Sequence, residues 1–167
     1  MPSLPRLIAF DADDLSVIAT NLQDALVRVG DMAYLPRSRQ FAMVTSRFDW
    51  IDAVTRKDGP CSCERCETGL LFGRVLKASC LGFCQRNKPL VLNLLDITFN
   101  ETESPAGLVE LTFSAGRALR LEVECLEAEI CDLGLRWKAR SAPHHRFDVS
   151  WGTDWLASLW PARHSRG

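Results

Sequence analysis

Three thiols within six residues, Cys61-Ser-Cys-Glu-Arg-Cys66, are the densest cluster of reactive side chains in the sequence. Thiolates on a short loop can converge on a tetrahedral Zn²⁺, and a fourth ligand could come from Cys80 or Cys84. The candidate metal set is therefore Cys61, Cys63 and Cys66 with Cys80 or Cys84, and thiolates favour zinc over an iron–sulfur centre. The spacing C-x-C-x-x-C is less diagnostic than two separated C-x-x-C knuckles. An intervening strand of nine residues spans roughly 30 Å unless the chain doubles back. A surface loop with free thiols is the competing reading.

A second constellation is Arg47-Phe48-Asp49-Trp50. It joins a guanidinium capable of bidentate contacts to an acid and two aromatic rings. Arg47, Asp49 and Trp50 could wall a ligand pocket, and a salt bridge over a strand end accounts for them equally well. A third is Trp151, Trp155 and Trp160, a large apolar payload within ten residues at near-helical spacing. All three histidines, His144, His145 and His164, fall late in the sequence, so a histidine-based triad has few ways to assemble. The sequence has no glycine-rich phosphate loop, no G-x-S-x-G, no H-E-x-x-H and no dinucleotide fingerprint.

Turn formers and alternating apolar residues define the elements that must position these groups. Asp11 can cap a helix whose first turn holds Asp13 and Asp14, with Leu15, Ile18, Ala19 and Leu22 as its apolar stripe. Strand-like runs follow. Met32 to Leu35 and Gln40 to Arg47 flank Pro36-Arg37-Ser38-Arg39, a hairpin connection. Leu70 to Ala78 reads as one strand. Leu90 to Phe99 reads as a strand covered on both faces, because apolar residues occupy both parities.

The clearest hairpin joins Leu108–Phe113 to Ala118–Glu124 through Ser114-Ala115-Gly116-Arg117. Its second arm alternates dry Leu119, Leu121, Val123 and Cys125 with charged Arg120, Glu122 and Glu124. Leu126, Ile130 and Leu133 then align as a helical turn over residues 125–133. After Pro143, the tryptophan segment reads as a short helix ended by Pro161.

These elements predict an α+β fold that is mainly β. An antiparallel sheet of six or seven strands curls into a partial barrel or roll, with an N-terminal helix and a short C-terminal helix. Residues 1–144 form a single β-rich domain and residues 145–167 a tail bearing the tryptophan helix. The length, 167 residues, suits one domain with a core large enough to need no cross-link.

Charge is nearly balanced, 20 Lys+Arg against 21 Asp+Glu, so no basic surface calls for nucleic acid. No apolar stretch approaches the ~18 residues of a membrane span. No signal-like n- and h-regions open the sequence. Seven cysteines, an odd number, fit a reducing compartment, and the expected location is cytoplasmic.

Several ordered blocks carry a family resemblance: Leu7-Ile-Ala-Phe-Asp-Ala-Asp-Asp-Leu15, Val29-Gly-Asp-Met-Ala-Tyr-Leu-Pro36, Arg47-Phe-Asp-Trp50, Leu119-Arg-Leu-Glu-Val-Glu-Cys125 and Glu127-Ala-Glu-Ile-Cys-Asp-Leu-Gly134. From Leu7 to His144 the chain resembles a bacterial family of uncharacterised proteins, a domain of unknown function. The resemblance implies no activity, cofactor or catalytic residues. The cysteine-rich stretch at 60–67 departs from the family, as does the tryptophan-bearing tail.

The favoured expectation is a non-catalytic binding or adaptor module whose partner is another protein. A zinc-stabilised small protein built on the Cys61–Cys66 loop is the second reading. An unrecognised small enzyme with a pocket at Arg47, Asp49 and Trp50 is the third.

Overall fold

A ten-residue helix opens the architecture where the sequence places it. The structure, a computed structural model, describes residues 6–48 and 64–138. Helix α1 (Ala12–Asn21) is capped by Asp11, whose side chain accepts a 2.8 Å hydrogen bond from the Asp14 amide. Leu15, Ile18 and Ala19 face inward, and Asp13 and Asp14 complement the positive end of the helix dipole. The short strand β1 (Leu7–Ala9) precedes α1. Three residues carry too little alternation to be recognised as a strand in sequence.

The remaining strands are β2 (Leu26–Leu35), β3 (Gln40–Phe48), β4 (Glu64–Phe72), β5 (Val75–Leu81), β6 (Val91–Glu101), β7 (Gly107–Phe113), β8 (Arg117–Val123) and β9 (Ala128–Lys138). All pairings are antiparallel, and the order across the sheet is β1-β9-β4-β3-β2-β6-β7-β8-β5. The fold is mainly β with one helix among the described residues, as expected. Among the described residues the expected six or seven strands become nine, and the sheet is not closed into a barrel: β1 and β5 are its two edges.

Three local differences explain the larger count. The run Leu70–Ala78 is two strands, because the chain turns at Gly73-Arg74, where Arg74 has φ 57. The turn sends β4 into the middle of the sheet and β5 to its far edge. The expected helical turn at 125–133 is instead a connection leading into β9, which pairs with β4 and β1. Residues with apolar side chains three or four apart read as helix, but the sheet supplies both partners for this segment. The expected C-terminal helix lies outside the described residues.

In β6, Leu92 and Leu94 are buried, and so is Ile97. The register with β7 shifts between Leu94 and Asp96, so one extra residue changes which parity points inward. Apolar residues on both parities therefore mark a bulge, not cover on both faces. Leu95, the residue at the shift, is exposed.

The β7–β8 hairpin forms as the sequence predicts. Ala115 and Gly116 both have positive φ, 62 and 71, within the three-residue connection Ser114-Ala115-Gly116 that joins Phe113 to Arg117. Leu119, Leu121 and Val123 are buried, and Arg120 reaches across to Glu110 at 2.7 Å on the wet face.

The core packs on one face of the sheet, where Ile18 and Leu22 of the helix region share one buried cluster with Met43, Phe72, Leu111 and Leu121. The sheet curls enough that its far edge touches its middle. The Val75 amide donates to the Arg39 carbonyl at 2.7 Å, and the Tyr34 hydroxyl donates to the Leu76 carbonyl at 2.9 Å.

Candidate functional site

The most ordered polar cluster spans three neighbouring strands. On β3, Phe41, Met43, Thr45 and Arg47 share one parity, and on β4 Cys66, Thr68, Leu70 and Phe72 do the same. Register sets Arg47 opposite Cys66, Thr45 opposite Thr68, and Thr68 opposite Asp132 of β9. Two inter-strand spacings separate β3 from β9, roughly 10 Å, a gap that an arginine side chain can bridge.

Arg47 does bridge it. Its Nη2 donates to Asp132 Oδ2 at 2.8 Å and Oδ1 at 2.9 Å, and its Nε donates to Thr68 Oγ1 at 3.0 Å. The Thr68 hydroxyl donates in turn to Asp132 Oδ1 at 2.8 Å. Thr45 Oγ1 donates to the Thr68 carbonyl at 3.1 Å, and Cys66 Sγ lies 3.8 Å from Asp132 Oδ1. Both charged side chains are nearly inaccessible, at 2% and 4% exposure. A charge pair this dry is stabilising only because each group keeps several hydrogen-bond partners. The cluster therefore ties β3, β4 and β9 in register.

A second polar pair occupies the opposite face of the same strands, built by two irregularities. In β2, the four residues Arg28 to Asp31 stand opposite Val44 alone. In β9, Leu133 to Leu135 stand opposite Glu67 alone, and Gly134 takes φ 87, a conformation glycine adopts without strain. These bulges bring Asp31 and Glu67 within electrostatic reach of each other. Burial pushes the Glu67 carboxyl up, and the charge of Asp31 adds to it. Burial also pushes Asp31 up, against the opposing pull of Arg28, whose Nε lies 3.5 Å from its carboxylate. Two acids so placed hold a proton more readily than ordinary carboxylates.

The sequence-derived candidates distribute unevenly over this framework. Arg47 is in the three-strand cluster, while Asp49 and Trp50 lie outside the described residues, as do Trp151, Trp155 and Trp160. Cys61 and Cys63 also lie outside them. Cys66 is buried in β4; Cys80 in β5 and Cys84 in the following loop are exposed. Among the described residues no group of three or more His, Cys, Asp or Glu is placed to hold a metal ion. Cys125, expected on the dry face, is half-buried just past β8.

Sequence reasoning missed Asp132, Thr68, Asp31 and Glu67. Asp132 falls in the segment whose apolar spacing predicts a helical turn. Only pairing between distant strands brings these groups together. A shallow groove of about 530 Å³ lies between α1 and β6, with Leu15, Ala19, Leu95, Ile97 and Phe99 as its apolar lining.

These features define an α+β domain whose open antiparallel sheet is braced internally by a buried arginine–aspartate pair. Over residues 5–145 the chain matches the family model described as a protein of unknown function, DUF2948, and it belongs to that family. No curated protein and no solved structure matches the chain. Among the described residues no helix is long and apolar enough to cross a membrane.

Proposed function

We propose that this domain is a non-catalytic binding or adaptor module that receives an extended segment of another protein along strand β5. The supporting observation is the asymmetry of the two sheet edges. Strand β1 is three residues long, a length that offers little to an incoming strand, whereas β5 has seven residues and ends the sheet. An edge strand presents hydrogen-bonding groups that an added strand can pair.

The side chains of β5 suit that role. The register with β8 slips by one residue between Val75 and Lys77, and the bulged Leu76 points outward with Lys77, Ser79 and Leu81. Leu76 and Leu81 are 48% and 52% exposed, so each offers apolar surface to a partner side chain. Lys77 is the strand's one charged residue, and it leans 3.8 Å from Glu122 of β8. The Arg47 guanidinium, one of the candidate pocket residues in the sequence, is engaged inside the fold by Asp132 and Thr68, which weighs against a role in turnover. The balanced charge fits a protein partner better than nucleic acid.

The test is affinity capture from a lysate of the native host with the full chain, comparing wild type with the L76K/L81K double variant. Circular dichroism confirms that the variant is folded. The reading predicts a discrete partner recovered by wild type and lost by the variant. Equal recovery would move the binding surface away from β5, to the α1–β6 groove or the tryptophan segment.

A further inference from the structure

Two exposed thiols flank a bend at the end of this same edge. Cys80 is the penultimate residue of β5, and Cys84 follows after three residues, Leu81-Gly82-Phe83. The chain turns at Gly82, where φ is 77. A Cβ on Gly82 would meet the Gly116 carbonyl oxygen and Arg117 Cγ at 3.2 Å, so the turn lies against the β7–β8 hairpin.

Two contacts hold the loop in place. Phe83, between the two cysteines, packs edge-on against Phe113 with ring centroids 6.1 Å apart. The Cys84 carbonyl accepts a 3.0 Å hydrogen bond from the Asn87 amide. The two thiols stand on either side of this bend with only Leu81, Gly82 and Phe83 between them. Neither is engaged in a disulfide.

We propose that Cys80 and Cys84 are a redox pair that closes into an intraloop disulfide when the protein meets hydrogen peroxide, and reopens with a thiol reductant. In the first step the Cys84 thiolate attacks one peroxide oxygen. The O–O bond breaks, Cys84 becomes a sulfenic acid, and the departing hydroxide takes up a proton as water. In the second step the Cys80 sulfur attacks the sulfenic sulfur. The S–S bond forms, the S–O bond breaks, and a second water leaves. Overall, two thiols lose two electrons and two protons, and one peroxide becomes two waters.

The order of attack follows from the surroundings. Burial holds the Cys80 thiol up, and the nearby Cys84 charge adds to the effect. Once Cys84 carries an uncharged sulfenic acid, that opposition disappears and Cys80 ionises more readily to resolve it. The pair does not depend on the binding role assigned to β5, because the chemistry needs only the loop.

The experiment uses the reduced full chain, freed of reductant, exposed to hydrogen peroxide, alkylated with N-ethylmaleimide and cut with trypsin. Cleavage after Lys77 and Arg86 releases the peptide Ala78–Arg86, which contains Cys80 and Cys84 and no other thiol. The proposal predicts that peroxide converts this peptide to a form two hydrogens lighter that takes up no maleimide. Dithiothreitol should restore the doubly alkylated form. In Cys80→Ser, dimedone should trap a sulfenic acid on Cys84. The proposal is overturned if the wild-type peptide keeps both maleimides, carries a sulfinic acid beside an alkylated neighbour, or is found joined to another cysteine peptide.

Discussion

Arg47 and Asp132 lie 85 positions apart in the chain and meet in a bidentate ion pair on the core face of the sheet, with Thr68 between them as both acceptor and donor. Asp132→Ala removes the carboxylate that the buried guanidinium holds with two hydrogen bonds from Nη2. Such a truncation costs about 3–5 kcal/mol, a large share of the roughly 5–15 kcal/mol that holds a domain folded. Urea unfolding of wild type and variant measures it. The double variant R47M/D132L should recover most of the loss, since well-packed apolar side chains replace a buried pair at little cost. A single-site loss below about 1 kcal/mol would mean that the pair behaves as if solvated.

The turn between β7 and β8 carries a correctable strain. Ala115 has φ 62, and an L-residue with a Cβ in that region costs roughly 1–2 kcal/mol. Asparagine tolerates the left-handed conformation better than alanine, because its short polar side chain can hydrogen-bond locally. Ala115→Asn should therefore raise the thermal midpoint. The gain should appear in calorimetry without any change in the far-ultraviolet spectrum.

Gly107 shows the opposite sensitivity. A Cβ there would lie 2.4 Å from Phe99 Cε2 and 2.6 Å from the Asn100 carbonyl oxygen. The ring can swing aside, but the backbone oxygen belongs to the β6–β7 ladder. Gly107→Ala should destabilise by about 1–3 kcal/mol, the range of overpacked sites. Denaturant titration reads the shift directly.

The Asp31–Glu67 pair gives stability a pH dependence of definite sign. Both carboxyls are pushed up in the fold, burial being the larger cause, so the folded state binds more protons than the unfolded state between their ordinary and raised values. Stability from this pair is fully present at acid pH and is lost as pH rises through the raised values. Glu67→Gln removes the glutamate's share. The variant should unfold at higher urea than wild type at alkaline pH, and the gap should narrow as pH falls toward the ordinary carboxylate range.

Local features of the fold were legible wherever neighbours in sequence settle the structure. The Asp11 cap and the Leu15–Leu22 stripe declare α1, and the alternation of Leu119, Leu121 and Val123 with Arg120 and Glu122 declares β8. What could not be read depends on distant pairing. Leu126, Ile130 and Leu133 have helical spacing, yet residues 128 to 138 become a strand because β4 and β1 stand ready on either side. Arg47 was legible as a recognition group, but Asp132 was not, because three strands must align before the two meet. The bulge in β6 was visible as a change of parity and needed the partner strand to identify it.

The central claim, that β5 is the receiving edge, is tested most directly by amide hydrogen exchange of the full chain with and without the captured partner. Binding along β5 predicts slowed exchange at those amides of Lys77 to Leu81 that point away from β8, with the β3–β4–β9 ladder unchanged. Unaltered β5 exchange beside protection elsewhere in the chain would contradict the claim.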